Sequence, residues 1–207
     1  MVAKALKEGL SIIISGWPAV GKTTMAVELA KEFKLKTFSG GDILKMLAES
    51  EGYSTSGDDW WDTDEAKEFM EERKSNPSYD REVDRKLIQI IKSQNAVVTS
   101  YTLPWLVDDD AIKFWLKGSQ DNRALRMANR DNISYGSAKK IIQFRDEQNR
   151  TIYRNLYNFN FGEDLKVFDF CLNTDLLSLP SLIEISKSVI RRLEVNQRTQ
   201  NDLGQGG

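Results

Sequence analysis

Short apolar runs alternate along the chain with longer segments in which apolar residues recur every three or four positions. Residues 10–15 form a β-branched, almost continuously apolar run, which is typical of a strand buried on both faces of a parallel sheet. Further strands are predicted at residues 36–39, 96–100, 111–116 and 167–172, and helices at residues 22–34, from residue 40, and at 79–93, 120–130, 134–156 and 182–193. This alternation predicts an α/β fold with a doubly wound, parallel, five-stranded sheet and helices on both faces.

The pattern weakens in two places. Residues 50–79 are polar, with Trp60, Trp61 and Phe69 among them, and predict a small mobile insert rather than core. Residues 195–207 are polar and rich in glycine, and predict a flexible tail. We therefore expect one domain over residues 1–194.

Composition narrows the classes of function. The formal charge of the 207 residues is -2, so no global basic field attracts nucleic acid. No apolar run is long enough to cross a membrane. Cys171, the single cysteine, fits a reducing cytoplasm. The absence of histidine leaves lysine, arginine, carboxylates, hydroxyls and an oxygen-held metal for any chemistry.

Residues 16–23 read GWPAVGKT and match the phosphate-loop pattern G-x-x-x-x-G-K-[ST]. Glycines permit backbone angles that turn successive N–H groups into one concavity, and the following helix adds its positive N-terminus. Lys22 is then placed to reach the β- and γ-phosphates, and the Thr23 hydroxyl to bind Mg²⁺. A strand before and a helix after the motif agree with this interpretation, which predicts ATP as a ligand.

Three regions are candidates for binding the phosphoryl acceptor. Residues 39–45 open a helix whose first amides suit an anion, with Lys45 nearby. Asp80 and Asp84 lie one helical turn apart, facing either a base or sugar, or solvent. Six arginines on two predicted helices have the planar donors that match phosphate oxygens. They are Arg123, Arg126, Arg130, Arg145, Arg150 and Arg154.

Spacing within those two helices predicts two local arrangements. Arg123, Arg126 and Arg130 follow one another at steps of three and four, so they share one helical face. Asp146 and Arg150 are four residues apart, which suits a simple ion pair.

Several segments, taken in their order along residues 11–190, resemble those of nucleoside monophosphate kinases of the phosphate-loop class. The resemblance is strongest to the short archaeal-type cytidylate kinases. The resemblance is carried by the phosphate loop, by residues 39–45 (SGGDILK), 80–84 (DREVD), 97–98, 103–105 (LPW), 113–117 (KFWLK), 145–150 (RDEQNR) and 168–174, and by Arg123, Arg126, Arg130, Arg154 and Tyr157.

The resemblance implies transfer of a phosphoryl group from ATP to CMP or dCMP with Mg²⁺, by a cytoplasmic monomer. It implies a sheet core, an insert near residues 40–93 that grips the monophosphate, and a lid near residues 120–160. The implied catalytic residues are Lys22, Arg123, Arg145 and Arg150. The implied ATP site comprises Gly16, Ala19, Val20, Gly21, Lys22, Thr23, Thr24, Arg126 and Arg130, and Thr23 also binds the metal. The implied acceptor site comprises Ser39, Gly41, Lys45, Asp80, Asp84, Tyr101 and Trp105.

The sequence departs from the family pattern in two segments. Lys45 stands where the family usually has arginine, and Thr99-Ser100-Tyr101 stands where it usually has an acid, a small residue and an arginine. Lysine keeps the charge without the planar fork, whereas tyrosine keeps neither. Two alternatives therefore stay open: a kinase for another acceptor, such as AMP or a small hydroxylated metabolite, and a low-turnover ATP-binding switch.

Overall fold

One parallel sheet organises the chain. The computed structural model describes residues 9–55, 64–93, 95–108 and 111–204. Within these ranges, five strands pair in the order β2-β3-β1-β4-β5, and every neighbouring pair is parallel. The strands are β1 (Ile12–Gly16), β2 (Lys36–Ser39), β3 (Ala96–Thr99), β4 (Ile112–Lys117) and β5 (Phe170–Asn173). The predicted five-stranded parallel sheet is confirmed. Trp60 and Trp61 lie outside the described residues.

Helices connect the strands and follow the last of them. They are α1 (Lys22–Phe33), α2 (Gly40–Ser50), α3 (Asp64–Ser75), α4 (Ser78–Ser93), α5 (Leu103–Leu106), α6 (Gln120–Asp131), α7 (Tyr135–Tyr157) and α8 (Leu179–Gly204). Across the described ranges, no helix combines the length and apolar character that a membrane span requires.

The central strand β1 supplies side chains to both layers of core. Ile12 and Ile14 pack with residues of α1 and α8, whereas Ile13 packs with residues of α2 and α4. Successive side chains of a strand point to opposite faces, so a strand covered on both sides must be apolar throughout. This explains the continuous apolar run in the sequence.

A smaller core joins α2, α3 and α4. Leu44, Leu47, Phe69 and Tyr79 are buried there, and Phe69 has 0% of its surface exposed. The rings of Tyr53 and Tyr79 meet Phe69 edge to face. The expectation that this region has no core is therefore wrong for the described part of residues 50–79. A few widely spaced aromatic residues are enough to close a small helical unit within a polar sequence.

Two predicted boundaries are corrected. Strand β5 begins at Phe170, because residues 165–167 form a 3₁₀ turn and Asp169 accepts a hydrogen bond from the Lys113 amide. Helix α8 runs from Leu179 through Gly204, well past the predicted end near residue 193. No glycine or proline lies between residues 181 and 203, so polar composition alone did not mark a helix end.

The carboxyl ends of β1 and β3 lie side by side, because Ile14 is in register with Thr99. The loops that follow these two strands therefore share one edge of the sheet. In open parallel sheets, ligands bind at this edge.

The buried ring of Phe69 provides a test of the small core. Phe69→Ala is expected to lower the free energy of unfolding by about 3 kcal/mol, because it leaves a cavity among packed rings. Val27→Ala on α1, where the side chain is 51% exposed, is the matched control and is expected to cost under about 0.5 kcal/mol. Urea unfolding of both variants measures the difference; equal effects would contradict the assignment of Phe69 to a core.

Candidate functional site

The phosphate loop turns sharply between β1 and α1. Gly16, Ala19 and Gly21 have positive φ angles of 143°, 59° and 97°. A Cβ atom on Gly16 would lie 2.2 Å from the Leu116 carbonyl oxygen of β4, so only glycine fits there. Gly21 directly precedes α1. The result is a compact concavity of backbone at the N-terminus of a helix, which suits an anion.

Lys22 points back into this loop. Its Nζ donates hydrogen bonds to the carbonyl oxygens of Gly16 at 2.9 Å and Trp17 at 2.8 Å. The same ammonium lies 4.6 Å from the centroid of the Tyr101 ring. Burial, with added repulsion from Arg145 and Arg123, lowers the pKa of Lys22 to about 7. The two hydroxyl residues that follow, Thr23 and Thr24, are exposed on the first turn of α1.

Arg123 is buried and tied to Asp146. The two guanidinium Nη atoms donate to the two carboxylate oxygens at 2.9 and 2.6 Å, and both side chains are 2% exposed. Arg123 also donates to the carbonyl oxygens of Gly118 at 3.0 Å and Pro18 at 3.3 Å. The predicted Asp146–Arg150 pair is corrected, because the fold brings Arg123 of α6 onto this carboxylate. Asp146 accepts a further hydrogen bond from Gln120 at 3.1 Å.

The guanidinium of Arg150 lies over the phosphate loop instead. Its Cζ atom is 4.8 Å from the centroid of the Trp17 ring, and that of Arg123 is 5.5 Å away. Arg145 is exposed and acts electrostatically on Lys22 and Tyr101. All four predicted catalytic residues therefore converge on one loop.

The other two arginines of α6 are bound elsewhere. Arg126 donates to the Thr174 hydroxyl at 2.8 Å and to its carbonyl oxygen, which ties α6 to the segment after β5. Arg130 pairs with Asp131 at the surface at 2.6 Å. The three arginines of α6 thus differ in depth: Arg123 is buried, Arg126 half-buried and Arg130 exposed.

The Trp17 ring packs against two other aromatic rings and against the backbone of Gly162. Its ring meets Phe161 edge to face at 4.9 Å and Trp115 at 6.0 Å. Gly162 has a φ of 88°, and a Cβ atom there would lie 2.1 Å from the Trp17 ring. The chain after α7 therefore approaches the phosphate loop as closely as a glycine allows.

The predicted acceptor residues of α2 lie at its N-terminus. The Ser39 hydroxyl accepts a hydrogen bond from the Asp42 amide at 3.0 Å, and the Asp42 carboxylate accepts one from the Ser39 amide at 2.9 Å. This reciprocal cap fixes the start of the helix. Gly41 is exposed and Lys45 is half-buried in the next turns.

Asp80 and Asp84 have different partners. Asp80 accepts a hydrogen bond from Arg73 at 2.6 Å. Asp84 is buried and accepts from the Thr102 hydroxyl and, at 2.5 Å, from the Tyr157 hydroxyl. Burial raises the pKa of Asp84. Asp84 thus connects α4 to the end of α7 and to the segment after β3.

Tyr101 and Trp105 belong to an aromatic wall beside Lys22. Tyr101 stacks on Tyr153 with ring centroids 6.1 Å apart. Trp105 stacks on Phe159 at 4.2 Å, and its indole N–H donates to the Asp164 carbonyl oxygen at 2.9 Å. Tyr101 faces the phosphate loop, whereas Trp105 supports the wall through these two contacts.

The predicted site residues do not include Arg73, Tyr153 or the Trp17 ring. Tyr153 and Tyr157 are four residues apart, and this spacing marks one face at the end of α7. Arg73 lies in a polar run with no distinguishing pattern, so only the packing of α3 on α4 reveals its partner.

A phosphate loop at the carboxyl edge of a parallel sheet, with guanidinium groups converging on it, defines the class of P-loop nucleotide-binding proteins. Solved structures with this fold include a shikimate kinase from Bacteroides thetaiotaomicron, with TM-score 0.54, 17% identity and coverage of 89% of this chain and 97% of the other. A gluconokinase from Sinorhizobium meliloti gives TM-score 0.53, 15% identity and coverage of 92% and 97%. At these identities the likeness shows the fold alone.

Sequence similarity identifies the family, which the likeness of fold does not. Residues 11–176 match the cytidylate kinase-like family, and the chain belongs to that family. It is 32% identical to a cytidylate kinase of Pyrococcus horikoshii over 188 residues, covering 91% of this chain and 92% of the relative. It is 36% identical to a cytidylate kinase of Pyrobaculum islandicum over 180 residues, covering 86% and 91%.

The buried ion pair gives one prediction. Asp146→Ala is expected to lower the free energy of unfolding by about 3 kcal/mol, because it leaves the Arg123 charge buried without its partner. Asp131→Ala is the control: it removes the Arg130–Asp131 pair on α6, whose side chains are 62% and 37% exposed, and is expected to cost less than about 1 kcal/mol. Thermal unfolding compares them, and a small effect at Asp146 would show that the pair contributes little.

The pKa of Lys22 gives a second prediction. At about pH 8, one unit above the pKa of about 7, most Lys22 side chains are neutral, and bound polyphosphate favours the charged form. ATP binding is therefore expected to take up roughly 0.5 to 1 proton. Calorimetry in buffers of different ionisation enthalpy measures this uptake. Lys22→Met removes the titrating group, so undiminished uptake in that variant would contradict the assignment; Lys31→Met is the control.

Proposed function

We propose that the protein is a cytidylate kinase that converts ATP and CMP to ADP and CDP. One observation carries the proposal: in a chain of the cytidylate kinase-like family, Lys22 turns its ammonium into the phosphate loop while Arg123, Arg145 and Arg150 converge on that loop. Enzymes accelerate phosphoryl transfer mainly by positioning the two substrates and by stabilising the charge on the transferring group.

In the proposed reaction, a phosphate oxygen of CMP attacks the γ-phosphorus of ATP. The bond from that phosphorus to the β,γ-bridging oxygen breaks, and ADP leaves with the electron pair. Lys22 exchanges its bonds to the Gly16 and Trp17 carbonyls for bonds to phosphate oxygens. Arg145 and Arg150 neutralise charge on the transferring group, and the absence of histidine poses no difficulty because no general base of that type is required.

We propose that Arg123 acts mainly by holding the loop in shape. Its N–H groups donate to Asp146 and to the Pro18 and Gly118 carbonyls. Arg123 would therefore act on the phosphates by long-range electrostatic attraction rather than by direct hydrogen bonds. The α6–α7 hairpin, on which Arg145 and Arg150 lie, would close as a lid and exclude water. The α2–α4 unit would grip the monophosphate.

Mg²⁺ fits this site as a nucleotide-bound ion. Within the described residues, no cluster of three carboxylate, cysteine or histidine side chains is arranged to hold a metal by itself. The exposed Thr23 hydroxyl adjoins Lys22, and Mg²⁺ commonly completes its shell with phosphate oxygens and water. The ion would neutralise phosphate charge. We further propose a cytoplasmic monomer that acts on small nucleotides, without nucleic acid.

One observation favours a second candidate function. Tyr101, rather than an arginine, lies beside Lys22, and Thr99 replaces the family's acid at the end of β3. A site built this way would bind ATP with a weakened acceptor site. The protein would then act on another acceptor or serve as an ATP-binding switch with low turnover.

The test is ADP formation from ATP and Mg²⁺ with CMP, dCMP, UMP, AMP, GMP and common hydroxylated metabolites. Turnover is expected with CMP, and Lys22→Ala is expected to lower it at least about 10²-fold, since a phosphate clamp is lost. Lys31→Ala, at the exposed far end of α1, is the matched control and should leave the rate unchanged. Turnover with a different acceptor moves the function to that acceptor. ATP binding without turnover on any acceptor favours the switch.

A further inference from the structure

An aromatic ring, rather than a hydrogen bond, holds the side chain of Arg150 over the phosphate loop. Its Cζ atom lies 4.8 Å from the centroid of the Trp17 ring. In the part of the chain that the structure describes, the exposed Arg150 guanidinium has neither a hydrogen bond nor an ion pair. A cation over the face of an aromatic ring is attracted by the ring's electron density, and tryptophan gives the strongest contact of this kind. The indole therefore supplies the attraction that keeps this flexible side chain at the loop.

Arg123 does not depend on the same ring. Its Cζ atom is 5.5 Å from the ring centroid, but its N–H groups also donate to the Asp146 carboxylate and to two backbone carbonyls. These bonds would keep Arg123 in place without the ring, whereas Arg150 would be free to sample its many rotamers. Removal of the Trp17 ring is therefore expected to displace one guanidinium and leave the other where it is.

The Trp17 ring is itself held by packing. It meets Phe161 at an angle of 84° and Trp115 at 74°, and both of these partners are buried. The backbone of Gly162 approaches so closely that it leaves no space for a Cβ atom. A side chain whose rotamer is fixed by packing can hold a functional group that contacts it in a defined position.

Trp17 also contacts another cation of the site. Its carbonyl oxygen accepts a hydrogen bond from Lys22 Nζ at 2.8 Å, while its ring contacts Arg150. One residue thereby sets the ammonium and the guanidinium relative to each other. Charged groups placed before the substrate arrives stabilise a transition state better than groups that must first be ordered. The motif G-x-x-x-x-G-K-[ST] leaves position 17 open, so phosphate binding by the loop does not in itself require a tryptophan there.

We propose that Trp17 is a positioning residue for phosphoryl transfer, and that its indole holds the Arg150 guanidinium over the phosphate loop before ATP binds. This assignment rests on the proposed function, in which Arg150 neutralises charge on the transferring group. It gives the ring a role in catalysis that is separate from the shape of the loop.

A double-mutant cycle on kcat tests the proposal, with CMP or with whichever acceptor the wild-type protein phosphorylates. Trp17→Leu is expected to lower kcat about 3- to 10-fold, because an unrestrained Arg150 is less often in place. In the Arg150→Ala background, the same substitution is expected to change kcat by less than about 2-fold, because the guanidinium is already absent. The KM for ATP is expected to change little, and Trp17→Phe, which keeps an aromatic face, is expected to restore most of the rate.

The matched control is Tyr135→Leu on the same helix as Arg150. It removes an exposed contact between an aromatic ring and a cation, since Lys139 Nζ lies 5.8 Å from the Tyr135 ring centroid. This variant should leave kcat unchanged. Thermal unfolding of each variant identifies any loss of fold, and Trp17→Met, which fills more of the ring's volume without an aromatic face, takes the place of Trp17→Leu if that variant is unstable.

Equal losses of kcat in the wild-type and Arg150→Ala backgrounds would overturn the assignment, because the ring would then act only on the structure of the loop. The kinase activity of the wild-type protein would still stand in that case. A wild-type protein without turnover on any acceptor is a different result: it overturns the proposed function, and the positioning role of Trp17 with it.

Discussion

The buried pair between Arg123 and Asp146 is the interaction on which the rest of the site depends. Two charges removed from water are stable only when their remaining hydrogen-bonding groups are satisfied. Arg123 meets this requirement through the Gly118 and Pro18 carbonyls, and Asp146 through Gln120. One guanidinium thereby ties α6 to α7 and both helices to the phosphate loop. Ala19 of the loop packs against the apolar interior of the same hairpin.

This connection brings several cationic side chains together at the loop. Fixing the hairpin over the loop brings Arg145 close enough to oppose the Lys22 charge and lays Arg150 over Trp17. Without a polyphosphate, burial lowers the pKa of Lys22, and the like charges of Arg145 and Arg123 lower it further. A polyphosphate such as that of ATP would offset that repulsion, so the loop is complementary in charge to such an anion.

The pattern of apolar and polar residues was enough to predict the sheet, and the motif was enough to predict the phosphate loop. Each strand and the loop consist of consecutive residues, so short stretches of sequence identify them. Lys22 and the loop glycines lie where the motif requires. The pairing of Asp146 was mispredicted because spacing along one helix identifies only neighbours on that helix, whereas the actual partner, Arg123, comes from α6. Arg73 and Tyr153 were not found, because their contacts arise from the packing of α3 on α4 and of α7 against the segment after β3, which periodicity within one helix does not reveal. The end of α8 was misjudged because polar residues do not by themselves stop a helix.

The close approach of Gly162 to Trp17 means that the shape of the phosphate loop is specified in two distant parts of the chain. The motif itself occupies residues 16–23, yet any side chain at position 162 would press on the indole and, through it, on the loop backbone. Evolution of this protein is therefore constrained at a glycine that no motif search would flag. A designer who transplants the loop into another scaffold must carry over that distant glycine, or replace Trp17 with a smaller residue.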